Sequence, residues 1–498
     1  MPRKSLKELC GILEPLEIVG RAENLISNLS CDSRRVEKDC LFFALQGGKL
    51  DGNQFIPRAV AAGAVAVVTE RGNAPVPPGV SSILVENARA ALAAASTAFY
   101  DHPTRSMQVI GITGTNGKTT TAYLVHSILQ AAGRSGGLFG TVEYRIGDRV
   151  VPATNTTPES LDLQMFFDEL RRNGRQHVVM EVSSHALEMH RVDYCRFALG
   201  VFTNLTRDHL DFHHTMDNYF AAKRKLFEGL KADPPEWAIL NIDDPYGARL
   251  HRELSLRKLT YGFGDRAEVR ATRIHYSFEG VRFTALTPQG ELAVESPLVG
   301  PPNVYNILAA IAAAEAQDID MPTIQTGIKN LRYVPGRFER VDCGQPFAVV
   351  VDYAHTDDAL KNVITAARKL TKRKIITVFG CGGDRDRAKR PLMGEVAGRL
   401  SDLIILTSDN PRTEEPLRII ADTVVGLQKA TDQYVVEPDR AKAIRRALEA
   451  AHEGDIVLLA GKGHETYQVV GDRILPFNDR EVAREILVEL GYDAHVCN

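Results

Sequence analysis

Short apolar blocks alternate along this chain with longer stretches in which apolar positions recur every three or four residues, the pattern of strands interleaved with helices. Up to about residue 107, CLFFALQG and AVAVVTE read as strands around a helix near FIPRAVAAGA, and the loop YDHPTRSM closes the module. From residue 108 to about Val334, VIGIT, HVVMEV, LGVFTN and WAILNID read as buried strands separated by helices, which predicts a doubly wound, mostly parallel sheet. One helix is expected from Lys118 to about Gly133, with Leu124, Val125, Ile128, Leu129 and Ala132 on its apolar face. Pro335 and Gly336 then punctuate the chain. Beyond them, four apolar strands each run straight into a polar loop: VVVDYAHTDD, ITVFGCGGDRD, LIILTSDNPR and IVLLAGKGHE. The expected fold class is therefore α/β in three domains: a small N-terminal α/β domain over 1–107, a central phosphate-loop domain over 108–334, and a C-terminal Rossmann-like α/β domain over 335–498.

Composition narrows the function classes. Hydrophobic residues at 44% and charged residues at 25% build ordinary globular interiors, and a net charge of −3 gives no reason to expect nucleic-acid binding. No run approaches the roughly 18 consecutive apolar residues of a membrane span, so no membrane insertion is expected. Seven cysteines without metal-ligand or disulfide-framework spacing, and an N-terminus without an apolar signal core, make a reducing cytoplasm the expected home. A monomer handling small molecules is the expectation.

The chemistry concentrates in loops that follow strands. Val109 to Thr121 reads VIGITGTNGKTTT, an apolar strand, a glycine turn and a Lys-Thr pair opening a helix. Gly114 and Gly117 let backbone N–H groups wrap phosphates, Lys118 suits the outer phosphates, and the Thr119 hydroxyl suits Mg²⁺. The commonest phosphate-loop consensus fails at Ile112, where its first glycine should stand, whereas the tighter T-G-T-N-G-K-T spelling fits. In the central segment, Glu181 ends the strand in MEVSSHAL like an acidic residue completing Mg²⁺ coordination. His209 in TRDHLDFH suits a second ion, and serves equally as a local cap. Lys223 in NYFAAKRKLF reads, from spacing alone, as one of three basic residues on a solvated helix face. In the last segment, strand ends of an open parallel sheet share one edge, so Asp352, His355, Arg385, Asp409, Asn410, Arg412, Gly461, Lys462 and Glu465 are expected to line one crevice.

TGTNGKTTT, NTTPES, MEVSSHAL, TNLTRDHLDFH, NVYNILAA, GRFERV, DYAHT, GCGGDRD, DNPR and GKGHE stand in the order and at the separations of the ATP-dependent Mur ligases of peptidoglycan synthesis, and the chain resembles that family over almost its whole length. Folylpolyglutamate synthetase is a relative. The resemblance is strongest to members that add the third residue of the stem peptide, and it implies three domains binding the UDP-sugar, ATP and the incoming amino acid in turn. It also implies ATP contacts at Gly114, Thr115, Asn116, Gly117, Lys118, Thr119 and Thr120, with Asn303 on the adenine side and Arg337, Asp352 and His355 brought by the third domain. Catalysis falls to Lys118, Glu181, His209 and Lys223, and two Mg²⁺ ions to Thr119, Glu181, His209 and Lys223. That role for Lys223 replaces the solvated reading, because the family's A-A-K lysine is carbamylated by CO₂. On the UDP-sugar side the resemblance implies Ser33, Asn155, Thr156, Thr157, Ser183 and Arg191. Two positions depart from the family pattern, Met189 for a glutamine and Asp357 for a proline.

The same resemblance implies that a UDP-muramoyl dipeptide carboxylate is activated as an acyl phosphate and captured by an amine. For the amine, meso-diaminopimelate carries a carboxylate beside its far ammonium, where lysine has the ammonium alone. Arg385 and Arg412 supply planar cations for that carboxylate, while Asp409, Asn410 and Glu465, with Gly461 beside them, receive ammonium groups. DNPR also resembles the signature of diaminopimelate-adding members, which makes diaminopimelate the expected amino acid. A lysine-adding ligase, a folate-type ligase and, in another class, an ATP-driven switch are the alternatives.

Overall fold

Val109, Ile110 and Ile112 alternate between the two faces of the strand Gln108–Thr113, and both faces are covered. Ile110 and Ile112 pack with the helices Lys118–Ala131 and Pro301–Glu315, whereas Val109 joins Phe166, Phe167 and Phe227 on the other side. A strand apolar on both faces needs a helical layer on each, which is the physical basis of double winding. In the computed structural model, which describes residues 2–47, 50–72, 74, 76–134 and 136–493, this strand lies inside an eleven-stranded sheet.

The neighbours His177–Glu181 and Leu199–Phe202 both run parallel to it, setting Ile112 opposite Glu181 and Thr113 opposite Phe202. Parallel pairing continues through Trp237–Asn241 and Arg257–Gly262. Both edges turn antiparallel, through Glu143–Ile146 and Arg149–Pro152 at one end and Gly280–Thr287 and Gly290–Ser296 at the other. The block pattern does not predict these edges. They alternate instead, as with exposed Glu291, buried Leu292, exposed Ala293 and buried Val294, because one face meets the core and the other water.

The N-terminal segment forms a five-stranded sheet in which Cys40–Phe43 and Ala64–Thr69 pair in parallel. The last segment forms a six-stranded sheet in which Ala348–Asp352, Ile456–Ala460, Ile375–Phe379 and Leu403–Leu406 are adjacent and parallel. Their four polar loops therefore leave one edge together, as expected. Gly336 does more than turn the chain between sheets. Its φ is +65°, and a Cβ there would lie 2.2 Å from the backbone nitrogen of His464, so the start of this segment packs directly on the loop after Ile456–Ala460.

Candidate active site

The phosphate loop needs glycine where its backbone is pressed against the next strand. At Gly114 φ is +143°, and a Cβ would lie 1.9 Å from Thr203 Oγ1. Gly117, also at positive φ, precedes the helix Lys118–Ala131, whose first N–H groups face a cavity of about 260 Å³. That cavity is lined by Thr115, Asn116, Gly117, Lys118, Thr119, Thr120, Glu181, His209, Asn303, Arg337, Asp352 and His355, so the expected nucleotide residues of all three sequence stretches meet. Its apolar end is built by Val299, Pro302, Val363 and Ala366. Asn303 is oriented there by donating from Nδ2 to Val299 O at 2.7 Å.

Two lysines converge behind the loop. Lys118 Nζ donates to the carbonyls of Gly114 and Thr115 at 2.9 and 2.8 Å, and Lys223 Nζ donates to the same Gly114 carbonyl at 2.8 Å. Lys223 is 1% exposed, with its ammonium 4.6 Å from the centre of the Tyr219 ring. The solvated-face reading of Lys223 is thus wrong, because its helix turns this one basic position inward against Tyr219 and the phosphate loop. Burial, then the neighbouring Lys118 cation, drives the Lys223 amine well below its ordinary pKa, with Asp208 opposing. Burial lowers Lys118 as well, against the pull of Glu181 and Asp208.

Glu181 is fully buried; its Oε1 accepts from the Thr141 backbone at 2.8 Å and its Oε2 from Thr141 Oγ1 at 3.0 Å. His209 sits at φ +53° before the short helix Leu210–His213, its ring edge-on to His185 and its Nε2 3.3 Å from Asp208 Oδ2. Burial pushes its pKa down to about 3 against Asp208, so the imidazole is neutral with a lone pair available. Among the described residues no group of three or more His, Cys, Asp and Glu side chains closes on a metal by itself. The donors that do line the cavity, a carboxylate, a hydroxyl and a neutral imidazole, are hard or borderline oxygen and nitrogen groups that suit Mg²⁺ sharing phosphate oxygens.

Behind Glu181 the expected sugar-side residues gather. Thr157 Oγ1 donates to Glu181 O at 2.9 Å, Ser183 N donates to Thr157 Oγ1 at 3.1 Å, and Arg191 Nη1 donates to Thr157 O at 3.2 Å. Thr156 Oγ1 lies 3.1 Å from Thr141 Oγ1, and Asn155 is held by the Tyr144 hydroxyl. Ser33 is buried in the turn after Asn28–Ser30 and lies on the wall of neither this cavity nor the next. At Met189 the Arg191 guanidinium approaches the thioether sulfur at 3.9 Å, a weak acceptor.

The third segment closes onto the loop. Arg337 Nη2 donates to Thr119 Oγ1 at 2.9 Å while its guanidinium stacks 4.7 Å over Tyr353. Asn116 Nδ2 donates to Asp358 Oδ2 at 2.8 Å, and Arg207 pairs with Asp386 at 3.1 Å. Asp357 opens the same helix as Asp358, but its Oδ1 is buried without a hydrogen-bond partner among the described residues. Asp352 accepts from the Phe338 and Ala354 backbones and is raised by burial, with Arg337 opposing. It faces the first cavity and not the crevice of the other strand-end loops.

That crevice is a second cavity of about 190 Å³, lined by Arg385, Asp409, Asn410, Arg412, Gly461 and Glu465 as expected, and by Asp211, Asp386 and Lys389. Asp208, His209, Tyr353 and His355 wall both cavities. Arg412, at φ +52°, donates to Gly383 O at 2.8 Å. His355 is pushed to about 4 by burial and Lys389, and Lys389 Nζ donates to its carbonyl at 3.0 Å. Sequence reasoning missed Thr141, Lys389 and Tyr353 as site residues. Only Tyr353 carried a signal, standing inside the DYAHT loop.

Comparison with known proteins agrees with this geometry. Residues 25–100 match the Mur ligase family catalytic domain, 112–314 the Mur ligase middle domain, and 336–463 the Mur ligase glutamate ligase domain. A protein of Solibacter usitatus named UDP-N-acetylmuramoyl-L-alanyl-D-glutamate–2,6-diaminopimelate ligase is 54% identical over 95% of both chains. One of the same name from Geobacillus kaustophilus is 48% identical over 93% of this chain and 95% of its own. A solved structure of a ligase of that name superposes with a TM-score of 0.67 at 32% identity, covering 99% of this chain and 100% of its own. The Thermotoga maritima MurF ligase in complex with ADP shares the fold, with a TM-score of 0.62 at 19% identity over 93% and 96% of the two chains.

Proposed function

The chain belongs to the Mur ligase family, and from that premise we propose that it joins meso-diaminopimelate to UDP-N-acetylmuramoyl-L-alanyl-D-glutamate, driven by ATP, in peptidoglycan precursor synthesis. It is an ATP-dependent, ADP-forming amide ligase. The observation that carries the substrate reading is the shared wall of Asp208, His209, Tyr353 and His355, which sets the first cavity edge to edge with a crevice lined by Arg385 and Arg412 together with Asp409 and Glu465.

A carboxylate is a poor acyl donor, and ATP remedies this. The dipeptide carboxylate attacks the γ-phosphorus, the bond to the β-bridging oxygen breaks, and ADP leaves an acyl phosphate. Lys118 and the helix N-terminus hold the phosphates, and Arg337 anchors from the third segment, so charge is met by preplaced groups. The amino-acid amine then adds to the acyl carbon and gives up a proton, and the tetrahedral adduct breaks its C–O bond to phosphate, which leaves, to give the amide. Arg412 and Arg385 orient the far carboxylate and Glu465 an ammonium, which holds the amine near the acyl carbon. Closure of the two segments over the shared wall excludes competing water.

Thr119, Glu181 and His209 would hold Mg²⁺, with Lys223 as its carbamate, and the ions would neutralise the crowded phosphate charge. Lys223 fits carbamylation because burial and the neighbouring Lys118 push its amine well below the ordinary lysine range, toward the neutral form that adds CO₂. The reading includes a UDP-sugar-binding domain over 1–107, an ATP-binding domain over 108–334 and an amino-acid-binding domain over 335–498. It also includes a cytoplasmic monomer with no nucleic-acid partner; no helix among the described residues is long and apolar enough to cross a membrane.

Phosphate release from ATP, Mg²⁺ and UDP-muramoyl-alanyl-glutamate, with meso-diaminopimelate or L-lysine added in parallel, tests it. Release with diaminopimelate and little with lysine is expected. Release only with lysine discards the diaminopimelate assignment, and release with neither discards the ligase substrates.

A further inference from the structure

Lys462 is fully buried and lies on the wall of neither cavity, yet its ammonium sits at the centre of the amino-acid crevice's polar scaffold. It donates to Glu465 Oε2 at 3.0 Å and to Asn410 Oδ1 at 3.3 Å, and lies 4.0 Å from Asp409 Oδ1. Asn410 Oδ1 also accepts from the Val469 backbone at 2.9 Å. With two donors on its oxygen, the Asn410 amide has one orientation, and its Nδ2 donates to Glu465 Oε2 at 2.9 Å. Glu465 Oε2 is therefore taken twice, which leaves Oε1 as the oxygen offered to the cavity that Glu465 lines.

We propose that Lys462 is a positioning residue for amino-acid recognition: it locks Asn410 and one oxygen of Glu465, and so presents the other oxygen, still charged, to a substrate ammonium. This rests on the diaminopimelate-ligase reading. Burial pushes the Glu465 carboxyl upward, and Lys462 is the foremost group opposing it. The other charged or titratable groups around Glu465 are His464 on its own loop, Asp409 and Arg412 from the loop after Leu403–Leu406, Tyr353, Tyr467 and Arg440. Asp409 adds to the upward push, so removing Lys462 leaves the two acids without the cation they share. A protonated Glu465 has no charge with which to attract an ammonium.

The test is steady-state kinetics on the full-length enzyme with Lys462→Met, Lys462→Gln, Glu465→Gln and the double variant Lys462→Met/Glu465→Gln. Either lysine substitution should raise the Michaelis constant for meso-diaminopimelate about tenfold or more, with that for ATP changed less than about twofold. In Lys462→Met the amino-acid constant should climb as pH falls through a range where the wild type stays flat. On the Glu465→Gln background the lysine substitution should add less than about twofold, because it acts through that carboxylate. A Lys462 effect kept in full on that background, equal changes for ATP and the amino acid, or an unchanged pH profile would each overturn the proposal. So would a Glu465→Gln variant with an unaltered amino-acid constant, which requires no lysine variant to fold. Arg412→Ala is run alongside; if it too leaves the amino-acid constant unmoved, the substrate reading itself has failed.

Discussion

The Arg337 guanidinium donates a 2.9 Å hydrogen bond to the Thr119 hydroxyl, so a side chain of the last segment is fastened to the first turn of the phosphate-loop helix. On the proposed ligase reading, one group then senses both the nucleotide and the position of the third segment.

Replacing Arg337 with methionine should remove a charge-assisted contact of about 1.5–3 kcal/mol, or roughly ten- to a hundredfold in kcat/KM for ATP. The Michaelis constant for the amino acid should stay within about twofold. Steady-state kinetics with each substrate varied in turn checks this; a loss confined to the amino acid would contradict the placement of Arg337 at the nucleotide.

Arg412 lies at the opposite end, in the second cavity. Arg412→Ala should raise the Michaelis constant for diaminopimelate by about tenfold or more while barely moving that for ATP, and should narrow the preference over L-lysine, because lysine has no carboxylate at its far end to lose. Competition between the two amino acids at limiting enzyme measures it directly.

Lys223→Met separates function from stability. Gly114 O keeps its bond from Lys118, and a buried amine whose charged form is disfavoured by burial and by Lys118 is removed, so the thermal midpoint should hold or rise. Ligation should nonetheless fall by at least about 100-fold. Wild-type enzyme kept free of CO₂ should lose activity and regain it on adding bicarbonate. A thermal midpoint that drops with activity retained would refute this role.

Acid stability has an identifiable contributor. Arg390, 1% exposed, donates to Glu414 Oε1 at 2.8 Å and Oε2 at 3.1 Å, and also to Asp422 at 2.8 Å. These bonds hold the Glu414 carboxyl down from 4.5 to about 2. A depressed carboxylate contributes stability that is complete above its unfolded value and fades as pH falls toward its folded one. Glu414→Gln should thus be less stable than wild type by about 1–3 kcal/mol at pH 7, with the gap shrinking between pH 4.5 and 2. Urea titrations across that range report it. Glu414 Oε1 also accepts from Asp384 N, so the loop carrying Arg385 should loosen with it.

Much of the site was legible because its chemistry is local. The turn from Thr113 to Thr119 is consecutive, and glycine, lysine and threonine there answer to phosphate geometry whatever surrounds them. The strand-end loops were legible for a similar reason: parallel strands with helical returns place all their C-termini on one edge, and Asp409, Arg412, Gly461 and Glu465 duly share a cavity. The antiparallel edges of the central sheet were not, since their weak alternation depends on which face meets the core.

Alone, the sequence determined the α/β class, the order of the segments, the phosphate loop and the inventory of acids and arginines for the crevice, because each is set by period, spacing or side-chain type. Only the tertiary structure decided which lysine is buried and what it touches. Lys223, Arg224 and Lys225 are consecutive and alike in charge, yet packing against Tyr219 and the Gly114 carbonyl turns Lys223 inward and makes its amine chemically different. Lys462 reaches Asn410 from 52 positions away. Long-range burial and desolvation fix both environments, and neither is written in any local pattern.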